Sequence, residues 1–78
     1  MKKQVFYNEL IDFLEFEHVE LSEKTEFKSL EGYDSLAVMS LIAFCDEKFN
    51  KKITAQQIKN LTTIKSLMDF IGYEQFED

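Results

Sequence analysis

The sequence contains few of the residues that break a chain or cross-link it. Among 78 residues there are no prolines, two glycines and a single cysteine, Cys45. One cysteine excludes an intramolecular disulfide, and a free thiol is typical of a reducing compartment. Because period-2 alternation and internal repeats are missing as well, helices are the expected regular structure. These absences predict a small helical protein in the cytoplasm.

Positive charge is scarce in the sequence. Arginine is absent, and nine lysines stand against fifteen acidic residues, which gives a net charge of −6. A chain with this charge is repelled by nucleic-acid backbones and by anionic membrane surfaces. Basic protein partners therefore fit better, and no nucleic acid is expected among the partners.

Long apolar runs are also missing. The N-terminal segment MKKQVFYNELIDF is interrupted by Asn8, Glu9 and Asp12, so it matches neither a signal peptide nor a membrane span. An apolar fraction of 45% and eight phenylalanines nevertheless suffice for one hydrophobic core. We expect a single domain over residues 1–78, because a chain of this length has no room for a second one.

The first helix is predicted from residue 2 to about residue 16, where four apolar side chains fall on one helical face: Phe6, Leu10, Phe13 and Leu14. Residues 17–34 lose this periodicity and are predicted to form a long connection. Leu21, Phe27 and Leu30 are expected to pin the connection to the body of the protein, with a short helical turn within it.

Capping signals mark the second and third helices. The second helix is predicted to start at Asp34 or Ser35, since either side chain can cap free backbone N–H groups, and to end near Phe49. Thr54 and Gln57 then form a capping box, which predicts a short third helix.

The fourth helix is predicted to follow the threonine pair at 62–63 and to end at Gly72. Its apolar residues recur with helical spacing: Ile64, Leu67, Met68 and Ile71. Residues 73–78 are predicted to be a flexible tail. The fold class expected from these elements is all-α, a four-helix bundle with a long first loop and a short third helix.

Ser35, in the stretch GYDSL, has three possible roles: helix cap, catalytic nucleophile or attachment point. Capping is the role favoured for an isolated Asp-Ser-Leu tripeptide. A nucleophile needs a base, and the single histidine, His18, lies in the acidic connection while no glycine-rich elbow surrounds Ser35. We therefore expect no enzyme. Attachment needs only an exposed hydroxyl at a helix start, where backbone N–H groups and the helix dipole favour a phosphodiester.

An ordered set of features runs through residues 32–71. It comprises Asp34-Ser35-Leu36, the helix end at Asp46, Glu47 and Phe49, Ile53 after a polar break, the short helix to Leu61, and Thr62-Thr63-Ile64. In this order the features resemble the second half of an acyl carrier protein. The resemblance implies a four-helix bundle of acyl-carrier type.

The resemblance also implies a covalent cofactor. Ser35 would receive 4′-phosphopantetheine, derived from coenzyme A, from a separate transferase, with Asp34 and Leu36 completing the attachment signature. The terminal thiol of this arm would hold an acyl group as a thioester. The chain would then be a carrier and not an enzyme.

Two further groups of residues have expected roles in such a carrier. Apolar residues between the helices are expected either to shelter an acyl chain or to form ordinary core: Leu41, Ile58, Leu61, Ile64 and Met68. Partner recognition is expected at the second helix and its flanks: Glu31, Leu36, Val38, Met39 and Ile53.

Within the family that the sequence resembles, carriers for bulk fatty-acid synthesis are expected to have acidic residues along the second helix. The charge pattern here is different. Residues 36–45 carry no charge, and five lysines follow before residue 66, against only Asp46 and Glu47. Because charge complementarity governs encounter and partner choice, this pattern favours a specialised carrier. Its expected partners are a phosphopantetheinyl transferase and the acyl-loading and acyl-using enzymes of a dedicated pathway.

Two other functions stay open at this point. An aminoacyl or peptidyl carrier shares the arm and the fold, and differs in its partners. A cofactor-free helical interaction module would use the uncharged second helix to bind a groove on a partner. The carrier is expected to be a monomer.

Overall fold

Four α-helices carry the regular structure in a computed structural model, which describes residues 1–77: α1 Lys3–Leu14, α2 Ser35–Phe49, α3 Ala55–Lys59 and α4 Ile64–Ile71. Two short 3₁₀ turns lie at Phe27–Ser29 and Tyr73–Gln75. No strand occurs within residues 1–77, where β pairing is limited to isolated bridges. The predicted all-α bundle, with its long first loop and short third helix, is confirmed.

Side-chain caps determine where the last two helices begin. Thr54 Oγ1 accepts a hydrogen bond from the Gln57 N–H at 3.1 Å, and the Gln57 side chain accepts one from the Thr54 N–H at 2.9 Å. Thr63 caps α4 in the same reciprocal way with Ser66. Gly72 ends α4 with a φ of 124°, a backbone conformation that L side chains rarely adopt. These boundaries agree with the prediction.

The core lies between α1, α2 and α4, and α3 closes one end of it. Its largest fully buried side chains come from all four helices: Phe6, Leu10, Leu41, Phe44, Cys45, Ile58, Ile64, Leu67, Met68 and Ile71. The Phe6 and Phe44 rings, from α1 and α2, lie 5.9 Å apart between centroids. Aromatic pairs at this spacing add to the stabilisation that buried area provides.

The long connection between α1 and α2 is ordered by contacts with the core and with α4. Phe27 is buried, and Leu21 and Leu30 are half-buried against the core. The backbone N–H groups of Ile64 and Lys65 donate to carbonyl oxygens of the connection, at 2.9 and 3.0 Å. The expected pinning residues and the expected helical turn are therefore confirmed.

Glu23 links the connection to both ends of the chain. Its carboxylate accepts a hydrogen bond from the Tyr73 hydroxyl at 2.6 Å and pairs with Lys3 Nζ at 2.8 Å. The ammonium groups of Lys3 and Lys65 each lie 5.1 Å from the centroid of the Tyr73 ring. Hydrogen bonds from Lys3 and Tyr73 hold the pKa of Glu23 below its ordinary value of 4.5.

The C-terminal segment packs on the body of the protein, which corrects the prediction of a flexible tail for residues 73–77. Phe76 is only 8% exposed, and its ring lies 4.8 Å from that of Phe6 between centroids. Glu77 pairs with the N-terminus, accepting from the Lys3 N–H at 2.8 Å and donating to the Met1 carbonyl at 2.9 Å. Asp78, the last residue of that prediction, lies outside the described residues.

Candidate functional site

Ser35 is the first residue of α2, and its neighbour performs the capping. Asp34 has extended backbone, and its Oδ1 accepts a hydrogen bond from the Ala37 N–H at 3.0 Å. The Ser35 side chain is exposed, and its hydroxyl makes no hydrogen bond within residues 1–77. Of the two candidate caps, Asp34 is therefore the one in use, which leaves the Ser35 hydroxyl available for other chemistry.

The surroundings of Ser35 suit an anion attached to its oxygen. The first N–H groups of an α-helix have no partner within the helix and lie at the positive end of its dipole. In α2 the Ala37 N–H is satisfied by Asp34 Oδ1 and the Val38 N–H by the Asp34 carbonyl, at 3.0 and 3.1 Å. The N–H groups of Ser35 and Leu36 come before these two and face the same helix end. A phosphodiester on Ser35 fits this position.

A groove of about 470 Å³ begins at Ser35 and runs between α2 and α3. The loop before α2 provides its outer wall, so three elements line it: Lys28, Tyr33, Ser35, Val38, Met39, Ala55, Ile58 and Lys59. A volume of this size lies within the range of small-molecule sites in proteins. The groove is apolar apart from its rim, so its chemistry suits an apolar organic group.

Two large apolar side chains of α2 are exposed close to Ser35. Leu36 is 71% exposed and Met39 66% exposed, and their spacing of three residues places them on one face of the helix. Val38 is half-buried beside them, and Glu31 is exposed in the preceding loop. These four residues are accessible, as the predicted recognition surface requires.

Ile53 differs from the other residues predicted for partner recognition. Its side chain is only 3% exposed and belongs to the hydrophobic core. The prediction assigned Ile53 to partner recognition, which requires an accessible side chain. The structure corrects this point, since a buried side chain has no area to offer a partner.

The five residues predicted to shelter an acyl chain lie mainly in the core. Leu41, Ile64 and Met68 are fully buried there, and Leu61 is half-buried against it. Ile58 is also buried. Of these five residues, it is the one that lines the groove beside Ser35 in the described part of the chain. The structure therefore brings Ile58 and Ser35 together, and the other four fill the space between the helices with their own atoms.

Four residues that line the groove were missed by the sequence prediction: Lys28, Tyr33, Ala55 and Lys59. Helical spacing offered a signal for Ala55, which lies three residues before Ile58, and then for Lys59, which lies four residues after Ala55. Tyr33 directly precedes the Asp-Ser-Leu tripeptide, and burial raises the pKa of its hydroxyl above the ordinary value of 10.0. No local pattern singled out Lys28.

His18 lies apart from the Ser35 groove. It is exposed, has a left-handed backbone with a φ of 56°, and lines a separate depression together with Phe16, Val19 and Glu31. The residues that line the groove include no histidine. The arrangement thus does not pair Ser35 with the histidine base expected of a serine nucleophile.

Residues 1–77 contain no cluster of histidine, cysteine and carboxylate side chains arranged to bind a metal ion. None of the helices is long and apolar enough to cross a lipid bilayer.

Comparison with known proteins gives consistent matches. The model of the family described as "Phosphopantetheine attachment site" matches residues 4–71. The acyl carrier protein of Kocuria rhizophila is 36% identical over 62 residues, which cover 80% of this chain and 74% of that relative. The acyl carrier protein of Micrococcus luteus is 36% identical over 42 residues, 54% of this chain and 52% of the relative.

A third relative, the acyl carrier protein of Myxococcus xanthus, is 37% identical over 38 residues, 49% of this chain and 48% of the relative. The matched segment thus spans about half the length of the Micrococcus and Myxococcus proteins. No solved structure matches significantly. The family match covers most of the chain and includes Ser35 with its groove, so the chain belongs to the phosphopantetheine attachment-site family, that of the acyl carrier proteins.

Proposed function

We propose that this protein holds acyl groups as thioesters on a 4′-phosphopantetheine arm attached to Ser35, with residues 1–78 forming one carrier domain. The observation that supports the proposal is the exposed Ser35 hydroxyl at the start of α2. Asp34 caps this helix, so the Ser35 hydroxyl is not needed as a cap. The family match supports it. The protein is a carrier, so its chemical steps belong to the enzymes that load and unload it.

The residues of the site have different roles in this proposal. Ser35 Oγ provides the ester oxygen, and Asp34 holds the first turn of α2 in place so that this oxygen points outward. The groove residues Tyr33, Val38 and Ile58 cover apolar parts of the arm or its acyl group. When bound, the arm supplies the thiol on which the acyl group is carried. Tethering presents that group to a docked enzyme at a high effective concentration.

We further propose that the partners are a phosphopantetheinyl transferase and the acyl-loading and acyl-using enzymes of a dedicated pathway. The uncharged stretch at residues 36–45 and the exposure of Leu36 and Met39 support this, because they offer an apolar docking face. After this stretch, the Asp46 carboxylate pairs with Lys52 Nζ at 3.1 Å, which reduces the negative charge available to attract a basic enzyme. A mainly apolar contact selects partners by shape and desolvation more than by long-range attraction.

The proposed location and assembly state rest on fewer observations. The free thiol of Cys45 is buried, and its burial raises its pKa to about 11, so it is unsuited to disulfide exchange between chains. We propose a monomer that works in the cytoplasm. Sedimentation of the purified chain at several concentrations would detect a stable dimer and so contradict the monomer.

The test of the carrier function is intact-protein mass spectrometry after incubation with coenzyme A and a broad-specificity phosphopantetheinyl transferase. The wild-type chain is expected to gain the mass of one phosphopantetheine, and Ser35→Ala to gain none. Ser40→Ala, in the same helix, is the matched control and is expected to gain as much as the wild type. Circular dichroism establishes that each variant is folded. A folded wild type that gains nothing with several transferases favours the cofactor-free interaction module, whose contact face would be Leu36 and Met39.

A further inference from the structure

Two lysines line the groove that begins at Ser35. Lys28, in the first 3₁₀ turn, donates from Nζ to the carbonyl oxygen of Lys59 at 2.7 Å, which joins the loop to the last residue of α3. Within residues 1–77, neither Lys28 nor Lys59 forms an ion pair with a carboxylate. Four other lysines do form such pairs: Lys3, Lys48, Lys52 and Lys65.

The residue next to Ser35 at the start of α2 is negatively charged. Asp34 precedes Ser35, and its carboxylate is committed to the Ala37 N–H, so it remains close to the helix start. Glu31 is exposed in the same loop. An arm on Ser35 adds a phosphodiester anion next to the Asp34 carboxylate, and like charges at short range repel each other. The cations that line the same groove, Lys28 and Lys59, are the groups able to offset this repulsion.

We propose that Lys28 and Lys59 bind the phosphodiester of the arm on Ser35 and thereby fold the arm into the groove between α2 and α3. This inference rests on the proposed function. The Lys59 carbonyl already fixes the ammonium of Lys28 at the edge of the groove, so little side-chain freedom is lost when the anion binds. Lys59 is exposed and free to turn toward Ser35, which lines the same groove.

The proposal has a consequence for the carried group. An arm held by two ion pairs in an apolar groove keeps its apolar portion against Val38, Ala55 and Ile58 until a partner docks. Ion pairs at a protein surface are screened by salt. The folded-in state of the arm is therefore expected to lose population as ionic strength rises.

The experiment measures contacts of the arm by NMR in the modified protein. An isotope-labelled arm is attached to Ser35, and nuclear Overhauser effects are recorded between the arm and the methyl groups of Val38, Ala55 and Ile58. The wild type is compared with Lys28→Met and Lys59→Met, since methionine keeps an unbranched apolar side chain. Lys24→Met is the matched control, because Lys24 is an exposed lysine of the same loop that does not line the groove.

The wild type and Lys24→Met are expected to show the contacts at low salt. Each groove variant is expected to lower the population of the folded-in arm about two- to fivefold, as is typical for loss of an exposed ion pair. Lys59→Met keeps the bond between Lys28 Nζ and the Lys59 carbonyl, so it tests the charge without removing that link. Thermal unfolding of each variant establishes that its fold is intact.

Three results would overturn the proposal. One is an arm that shows no contact with the groove in the wild type. A second is contacts of equal strength in both groove variants and the control. A third is contacts that appear only when the arm carries an acyl group with its own carboxylate, because the lysines would then serve the cargo. Failure of the proposed function would be detected before the NMR experiment, because the intact-protein mass would then show that no arm had been attached.

Discussion

The helices α2 and α4 are both rich in apolar residues, but they use them differently. In α4 every residue of the apolar stripe is at most 1% exposed: Ile64, Leu67, Met68 and Ile71. In α2 the inner face is buried in the same way, while Leu36 and Met39 on the outer face are 71% and 66% exposed. The core accounts for the apolar residues of α4 and leaves those two of α2 without a partner in the described chain. These two exposed apolar side chains lie one and four residues after Ser35, and they form the face at which we propose that partners dock.

The largest predicted effect comes from a pair of methionines, one on each helix. Met68→Ala, in α4, removes a fully buried side chain and is expected to lower the free energy of unfolding by about 2–5 kcal/mol. Met39→Ala, in α2, is expected to change it by no more than about 0.5 kcal/mol, because the side chain is exposed. Urea unfolding of both variants measures the two values. Equal destabilisation would show that the outer face of α2 is packed, and the comparison would fail.

A second prediction concerns the inner face of α2. Cys45 is fully buried, and burial raises the pKa of its thiol to about 11. The thiol is therefore protonated at neutral pH, and alkylation in the folded protein is expected to be on the order of 100-fold slower than in urea. Timed reaction with iodoacetamide, followed by mass spectrometry, gives both rates. Similar rates in the two conditions would mean that the inner face opens easily.

The third prediction separates the two residues at the start of α2. Asp34→Ala removes the cap on the Ala37 N–H and is expected to lower the free energy of unfolding by about 1 kcal/mol. Ser35→Ala, which removes no hydrogen bond of the described structure, is expected to change it by less than about 0.5 kcal/mol. Chemical denaturation of the two variants in parallel tests this order. A larger loss for Ser35→Ala would return Ser35 to the role of cap.

The smallest change in the free energy of unfolding is expected at Glu23, which lies in the connection before α2. Lys3 and then Tyr73 lower the pKa of Glu23 in the folded state. A carboxyl with a lowered folded-state pKa stabilises the fold above its unfolded value, near 4.5, and loses that contribution as the pH falls through the folded value. The unfolding free energy of the wild type minus that of Glu23→Gln is therefore expected to be positive at neutral pH and to shrink below pH 4.5. A difference that stays constant down to pH 3 would contradict the claim that the lowered pKa of Glu23 stabilises the fold.

Local capping chemistry explains why the helix boundaries were predictable. The caps at Asp34, Thr54 and Thr63 act within three or four residues, so the sequence contains both partners of each hydrogen bond. Period 3.6 likewise predicted which face of α4 is buried. Ser35 could be singled out as a candidate because the Asp-Ser-Leu tripeptide lies at one of these helix starts and is part of the ordered set of features that resembles an acyl carrier protein.

Features that depend on contacts distant in sequence were harder to predict. Phe76 lies among charged residues near the end of the chain, and its burial comes from a ring contact with Phe6 at the other end. Ile53 follows two exposed lysines, and its burial depends on how the connection to α3 turns inward. Lys28 reaches the groove through a bond to a residue 31 positions away. Neither propensity nor periodicity carries information about such contacts.

The position of the attached arm is the measurement that tests the account most directly. After incubation with coenzyme A and a phosphopantetheinyl transferase, cleavage after the lysines at 28 and 48 releases the peptide 29–48, which contains Ser29, Ser35 and Ser40. Fragmentation of this peptide in the mass spectrometer identifies the modified serine. The account predicts one phosphopantetheine, on Ser35. An arm on Ser29 or Ser40, or an unmodified peptide from a folded protein, would contradict it.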